Sequence, residues 1–498
     1  MARQKSNKKH KKHIKKKNKK YRLKKKNVCK LIISVIMLVL SIICFAYVNH
    51  LNVLPFKYSL LFISLLFVFN FIAMVFSFAK SKLKRFISIV LYIIVVFISV
   101  AGIKYVGNTI DFLQDGFSNN KVELTMYNII VLNDSNYEVL DDLNGTKMGY
   151  LSLELNDTKY LDNVNDKVDV ELVQLDVYKL YNDLMNKKIA SIVINDGYIS
   201  LIEEEYADFG SVTRILDTIE VEVKKEINNK KFDKLEPINI YLSGTDSRSS
   251  NISSNGTSDV NIILTINPHT HTILLTNIPR DYYVQLHGTT GTKDKLTHAG
   301  FYGIDMSKKT IEDFMDIEID YSIKVGFNSV IKMVDLVGGV DIYSDIAFKS
   351  HCKDGGAQSV YVKKGWNHFN GAQALSFARE RYAYSDGDKQ RGRNQQEVIK
   401  AIFNKIIADK SILLKYDTLL SSFSELYRTD LPKEFVTLLI KNQLNNMSSW
   451  TIESQSVDGY GASGSTYSMP GYDNLYVMIP DKDSIVEAKN KIDSVMNK

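Results

Sequence analysis

Cysteine is nearly absent, with three in 498 residues. Cys29 closes a basic tail, Cys44 lies inside an apolar run, and Cys352 stands alone in the C-terminal part. Such a set excludes a disulfide framework and has no metal-type spacing. Acid is absent from residues 1–30, which carry sixteen Lys or Arg. The net charge of +7 therefore conceals a mildly acidic body of −9 behind a basic tail. Charge is absent again from three apolar runs, 31–48, 58–79 and 86–103.

Each of these runs has the length needed to cross a hydrocarbon core of about 30 Å. The first is too long, and lacks the small-residue cleavage site, for a removed signal peptide. Buried soluble helices do not explain three uncharged runs so close together. Orientation follows from the flanks. The tail is intensely basic, the loop 49–57 carries one Lys and one His, and the loop 80–85 (KSKLKR) is basic again. Positive loops stay in the cytoplasm, so the tail is expected inside and everything beyond about residue 107 outside. The tail has a single aromatic, Tyr21, and runs straight into a span. Topology and anionic membrane lipid explain its charge better than nucleic acid, which is not an expected partner.

The length exceeds one soluble domain. Charge, hydropathy and periodicity divide the chain into a basic cytoplasmic tail (1–30), three transmembrane helices (31–106), a small extracellular α/β accessory domain (120–232), a larger α/β domain (237–410) and a helical and mixed C-terminal extension (411–498). In the accessory domain, Tyr127–Leu132 and Ala190–Asn195 read as strands, and Val177–Lys188 as a helix. A further helix, roughly 209–229, is expected to link the two domains. In the larger domain, Val260, Ile262, Leu264 and Ile266 show strand alternation, and Thr272–Ile278 returns as a second strand. Helices are expected at about 308–315 and 327–337, from an N-cap at Asn370 onward, and over most of 394–445. Strands and helices intermix, so the expected class is α/β with a mixed sheet and surrounding helices.

Residues of chemical interest collect at the strand ends. Gly244-Thr245-Asp246-Ser247-Arg248 ends one strand, Ser258-Asp259 opens the next, and Ile278-Pro279-Arg280-Asp281 closes the hairpin. Ends of neighbouring strands are where α/β proteins build sites. The competing reading makes each Asp a turn residue and Arg280 a solvated loop side chain. Lys295 is the weakest member of the set. Further on, Arg379, Arg381, Arg391 and Arg393 fall within eighteen residues, with Asp388, Gln395 and Gln396 among them. Arginine's planar fork meets phosphate oxygens two at a time, and its charge does not titrate away. A solvated helix face is the alternative. Arg379 and Arg381 are two apart and do not share a helix face, so either the helix ends near Arg379, which is the expectation here, or one arginine points elsewhere.

In combination these segments resemble the LytR-CpsA-Psr family of Gram-positive cell envelopes. The resemblance covers 238 to about 408. It rests on the motifs at 244–248, 258–259 and 278–281, on Val334-Asp-Leu-Val-Gly-Gly-Val-Asp341, on Leu375-Ser-Phe-Ala-Arg-Glu-Arg-Tyr382 and on 387–396. The three spans and preceding accessory domain are similar to capsule-type members. Leu296-Thr297-His298 departs from the family's more usual Ile-Asn after the Lys.

The resemblance implies a phosphotransferase. It would take a glycan of capsule or teichoic-acid type from a polyprenyl-diphosphate carrier and join it to peptidoglycan through a phosphodiester. Arg248, Arg280, Arg379, Arg381, Arg391, Arg393, Gln395, Gln396 and Lys295 are implied at the diphosphate, Arg280 and Arg379 as its catalytic neutralisers. Asp246 and Asp259 are implied as ligands of Mg2+. Either Asp259 or Asp281 is implied as the base for the attacking hydroxyl. Val330, Ile331, Val334 and Leu336 are implied in an apolar slot for the isoprenoid, with plain core packing as the alternative. Two other classes stay open: a transcriptional attenuator, which an extracellular body disfavours, and a non-catalytic polyprenyl-phosphate binding module, which has no need of Asp246 and Asp259.

Overall fold

The computed structural model describes residues 2–50, 55–116, 122–151, 159–206, 208–224, 234–245, 256–351, 359–408, 427–446 and 448–497. The chain forms two compact units, 1–111 with 437–447, and 112–436 with 448–498.

The first unit is built on helices Ala2–His50, Phe56–Phe78 and Lys82–Gly116. Their segments Lys25–His50, Phe56–Phe78 and Lys82–Lys104 are long and apolar enough to cross a membrane. Large apolar side chains such as Ile36, Phe71, Ile93 and Phe97 face outward. Polar ones turn inward: Ser34 and Tyr92 share a hydroxyl contact of 2.7 Å, and Asn70 donates to Ser41 at 2.8 Å. In hydrocarbon, polar groups must find partners inside the bundle, and this arrangement meets that need. These helices anchor the chain to a membrane.

Among its described residues the second unit contains two large sheets and four two-stranded ones. The first has the order Glu171–Leu175, Lys147–Leu151, Ser191–Asn195, Val122–Leu132, Thr213–Lys224. Here the expected linking helix is corrected. Among the described residues of that span only Phe209–Val212 is helical, and Thr213–Lys224 is a long edge strand, antiparallel to Val122–Leu132. Ile215, Ile219 and Val221 in this segment are β-branched and favour a strand. Its partner strand lies over eighty residues upstream, so the pairing that decides the issue is not local.

The second sheet is mixed and six-stranded, in the order Tyr427–Thr429, Tyr321–Gly326, Ile238–Thr245, Val260–Asn267, Thr272–Ile278, Thr451–Ser456. Both edge strands were missed from sequence; each gains its character from its neighbour. Alternation sorts the side chains. Tyr241, Ile263 and Leu274 point to one face, where they pack with Ile311 and Met315 of helix Ile304–Met315 and Ile492 and Val495 of helix Lys482–Met496. A second core joins helices Phe327–Leu336, Gly371–Arg379 and Asp388–Ala408 through Val334, Phe377, Val398 and Ile402. Gly371 permits the close approach there: a Cβ on it would lie 2.1 Å from the Ile331 carbonyl oxygen.

Topology brings one set of strand ends together. Thr245, Ile278 and Ser456 close strands that run the same way, and Asp259 precedes the antiparallel strand between them. The accessory sheet is tied to this body by aromatic contacts: Tyr198 stacks on Phe301 at 5.0 Å, and the Tyr206 and Tyr472 hydroxyls meet at 2.6 Å.

Candidate functional site

At that shared edge lies a pocket of about 150 Å³. Its walls are Asp259, the turn Asn277–Arg280, the start of helix Asp388–Ala408 through Gln395, and Ser456–Asp458. A helix N-terminus presents unpaired N–H groups and the positive end of the helix dipole, a setting that favours anions. Gly392 lets the helix settle against the sheet: a Cβ there would sit 2.4 Å from the Asn277 amide nitrogen.

Arg280 is the centre of the site. Pro279 fixes the turn after the strand, and the guanidinium projects back across the sheet edge. Its Nη1 donates to Asp259 Oδ1 at 2.7 Å, and its Nε stands 3.6 Å from Asp281 and 3.9 Å from Asp388. Arg391 donates to Asp388 Oδ2 at 2.9 Å. Arg381 lies 3.8 Å from Asp388 Oδ1. Three arginines from three segments thus meet one carboxylate. Asp388 was noted in the sequence only as a neighbour of the arginines, and nothing in the local spacing marks it as their common partner.

The carboxylates differ electrostatically. Burial pushes the Asp259 carboxyl up, but the charges of Arg280 and Arg391 and the hydrogen bonds from Arg280 and Thr257 outweigh it and hold it below the usual carboxylate range. Burial raises Asp281 and Asp388 adds to the rise; Arg280, Lys295 and Arg391 offset only part of it. Arg391 is itself pulled below the usual guanidinium range, by burial first and then by Arg280. Asp259 lines the pocket and Asp281 stands behind Arg280, with Lys295 at 3.9 Å from it.

The remaining candidates separate. Arg393 and Gln395 line the pocket, and Arg393 pairs with Asp386 at 2.6 Å. On one helix Arg391 and Arg393 point different ways, as i and i+2 must. The helix bearing Arg379 ends at that residue, as expected, with Glu380 in extended conformation. Arg379 lies over the Phe327 ring, 4.5 Å from its centroid. Gln396 is buried, and its amide donates to the Leu275 and Gln455 carbonyls, stitching the helix to the sheet. Val334 is fully buried in the second core, Val330 packs against that core, and Ile331 and Leu336 are half-buried. None of the four lines the pocket. Asp246 and Arg248 lie outside the described residues.

Sequence reasoning also passed over Glu380. Its buried carboxylate accepts the backbone N–H of His351 at 2.6 Å, of Tyr382 at 2.8 Å and of Ala383 at 3.0 Å. Burial would raise its pKa, yet these bonds win and keep it below the usual range. An acid between two arginines looks like surface charge; here it clamps the turn that carries Arg381.

Among the described residues no group of three His, Cys, Asp or Glu is placed as a metal site. Asp259 is an ionised, hard oxygen donor on the pocket wall, which is the chemistry Mg2+ requires.

Comparison with known proteins places this geometry in context. Residues 209–494 match the profile of the LytR_cpsA_psr family. Over 246 residues the chain is 34% identical to the polyisoprenyl-teichoic acid–peptidoglycan teichoic acid transferase TagU of Bacillus cereus, an alignment spanning 48% of this chain and 77% of that protein. The protein of the same name in Halalkalibacterium halodurans is 29% identical over 260 residues, covering 52% of this chain and 79% of its own. The crystal structure of B. subtilis TagV shares 27% identity and a TM-score of 0.44, covering 53% of this chain and 98% of that one.

Proposed function

This chain belongs to the LytR-CpsA-Psr family, and on that premise we propose that it is a membrane-anchored glycopolymer transferase. It moves a capsule or teichoic-acid type glycan from a polyprenyl-diphosphate carrier to a peptidoglycan hydroxyl through a phosphodiester. The observation that carries this reading is the meeting of Arg280 and Arg391 in one pocket at a helix N-terminus. Two guanidiniums in a partly dry site suit a diphosphate, whose charge is the main obstacle to phosphoryl transfer.

In the proposed step the acceptor hydroxyl oxygen attacks the glycan-bearing phosphorus. The P–O bond to the second phosphate breaks, its electron pair leaves on the bridging oxygen, and polyprenyl monophosphate departs. The hydroxyl proton goes to a carboxylate. Asp281, with its raised pKa, is the better proton acceptor; Asp259, on the pocket wall, is nearer the ligand. Arg280 and Arg391 orient the diphosphate, with Arg393 at the rim of the pocket. Asp259 and Asp246 are the residues proposed to hold Mg2+, which when bound supplies positive charge to phosphate oxygens. Asp259→Ala is expected to lower transfer at least a hundredfold, and chelation by EDTA to do the same. The measurement is release of polyprenyl monophosphate from a carrier-linked glycan in the presence of peptidoglycan. Undiminished turnover in both cases would remove the metal from the mechanism.

We assign the basic tail to the cytoplasm, where it meets anionic lipid, and the second unit to the outside, with the accessory sheet as scaffold. Protease added to intact protoplasts should cut beyond residue 107; full protection would overturn the transferase reading.

A further inference from the structure

Tyr382 is exposed, at 68%, yet it is held on three sides. Its backbone N–H is fixed by the buried Glu380 carboxylate at 2.8 Å. Its hydroxyl accepts from Arg381 Nη2 at 2.7 Å, with the guanidinium carbon 4.8 Å from the ring centroid. The His351 ring meets it edge-on at 5.8 Å, and His351 is itself anchored to Glu380 through both its backbone N–H and its Nδ1. Solvent-exposed tyrosines ordinarily move among rotamers, and restraining one costs entropy. Here a buried acid, an arginine and a histidine share that restraint. The same Arg381 turns its Nη1 toward Asp388, a wall of the pocket, at 3.8 Å. Tyr382 therefore stands one guanidinium away from where the diphosphate would lie.

We propose that Tyr382, with His351 beside it, is a subsite for the first sugar ring attached to the diphosphate. This rests on the diphosphate reading above and adds to it a contact with the glycan itself. A pyranose carries an apolar face of C–H groups and a polar rim. A fixed aromatic ring supplies the matching apolar face, and its hydroxyl and the exposed His351 ring supply polar partners. Rigid aromatics also lose little entropy on binding, which is why recognition surfaces favour them. The sugar is joined directly to the phosphate, so its ring must lie beside the arginine cradle, where Tyr382 is. The turn residues explain why the position is built as it is: Glu380 spends its buried charge on holding the backbone of 382 and 383 and not on the ligand.

The test compares two ligands on the full chain in lipid nanodiscs: a short polyprenyl diphosphate, and the same molecule with one N-acetylglucosamine on the diphosphate. Tyr382→Ala is expected to weaken the glycosylated ligand roughly threefold to tenfold and leave the bare diphosphate unchanged. Tyr382→Trp, which keeps an aromatic face, is expected to restore most of the loss. Equal weakening of both ligands would overturn the subsite, since Tyr382 would then act only through Arg381 on the phosphate. No weakening of either would overturn it as well. Failure of the wild type to bind even the bare diphosphate would instead bring down the diphosphate reading, and the subsite with it.

Discussion

Arg391→Lys is expected to cost ten- to hundredfold in affinity for a polyprenyl diphosphate, although the formal charge is conserved. Arg391 is largely buried, donates to Asp388 at 2.9 Å and sits in the field of Arg280. A guanidinium tolerates burial beside another cation because its proton is held so tightly. A lysine in the same place offers no fork, and burial with a neighbouring cation pulls its pKa toward neutrality. Loss of a charge-assisted hydrogen bond costs on the order of 1.5–3 kcal/mol, which is the stated range in affinity. Arg393 provides the internal contrast. It is 44% exposed and already engaged by Asp386 and Gln390. Arg393→Lys is therefore expected to change affinity by no more than about threefold, given the small worth of exposed ion pairs. Isothermal titration on the two variants decides the matter. Equal, small effects would place the phosphate away from Arg391.

Asp388→Asn is expected to act in two directions at once. The carboxylate stands within 4 Å of Arg280, Arg381 and Arg391, and without ligand it is part of what neutralises them. The amide keeps the shape and one acceptor but removes the charge. Three guanidiniums then repel one another with less compensation, and thermal stability should fall by about 1–3 kcal/mol. The same change leaves the pocket more positive, so bare diphosphate should bind severalfold more tightly and with a steeper salt dependence. Turnover should drop, because arginines pulled to the ligand without their common partner lose their alignment. Weaker diphosphate binding at unchanged stability would mean that Asp388 holds the ligand directly, and the account of it as an internal counter-ion would be wrong.

Local pattern carried much of the architecture. The hairpin from Val260 to Ile278 was legible because alternation of apolar residues is a property of neighbouring positions. The Asn370 cap was legible for the same reason: its side chain accepts from Gln373 N three residues on. The end of the helix at Arg379 was one of two outcomes that helix geometry allowed for arginines two apart, and the one expected. Where the reading failed, a distant partner had decided the outcome. Thr213–Lys224 became a strand because Val122–Leu132 lies alongside it. Tyr427–Thr429 and Thr451–Ser456 became edge strands because Tyr321–Gly326 and Thr272–Ile278 lie alongside them.

The amino-acid sequence by itself determined the three uncharged spans, the basic tail, the mixed α/β character and the inventory of arginines and carboxylates, since all of these are set by composition and by spacing along a few turns or strand residues. Only the tertiary structure decided which charge meets which. It set Asp388 among three arginines and Glu380 beneath Tyr382, and it separated the pocket-lining Asp259 from the recessed Asp281. The physical reason is that a charge interacts over distances of a few ångströms in space, and residues 259, 280, 381, 388 and 391 reach that separation only when a six-stranded sheet brings its strand ends and one helix N-terminus to the same edge.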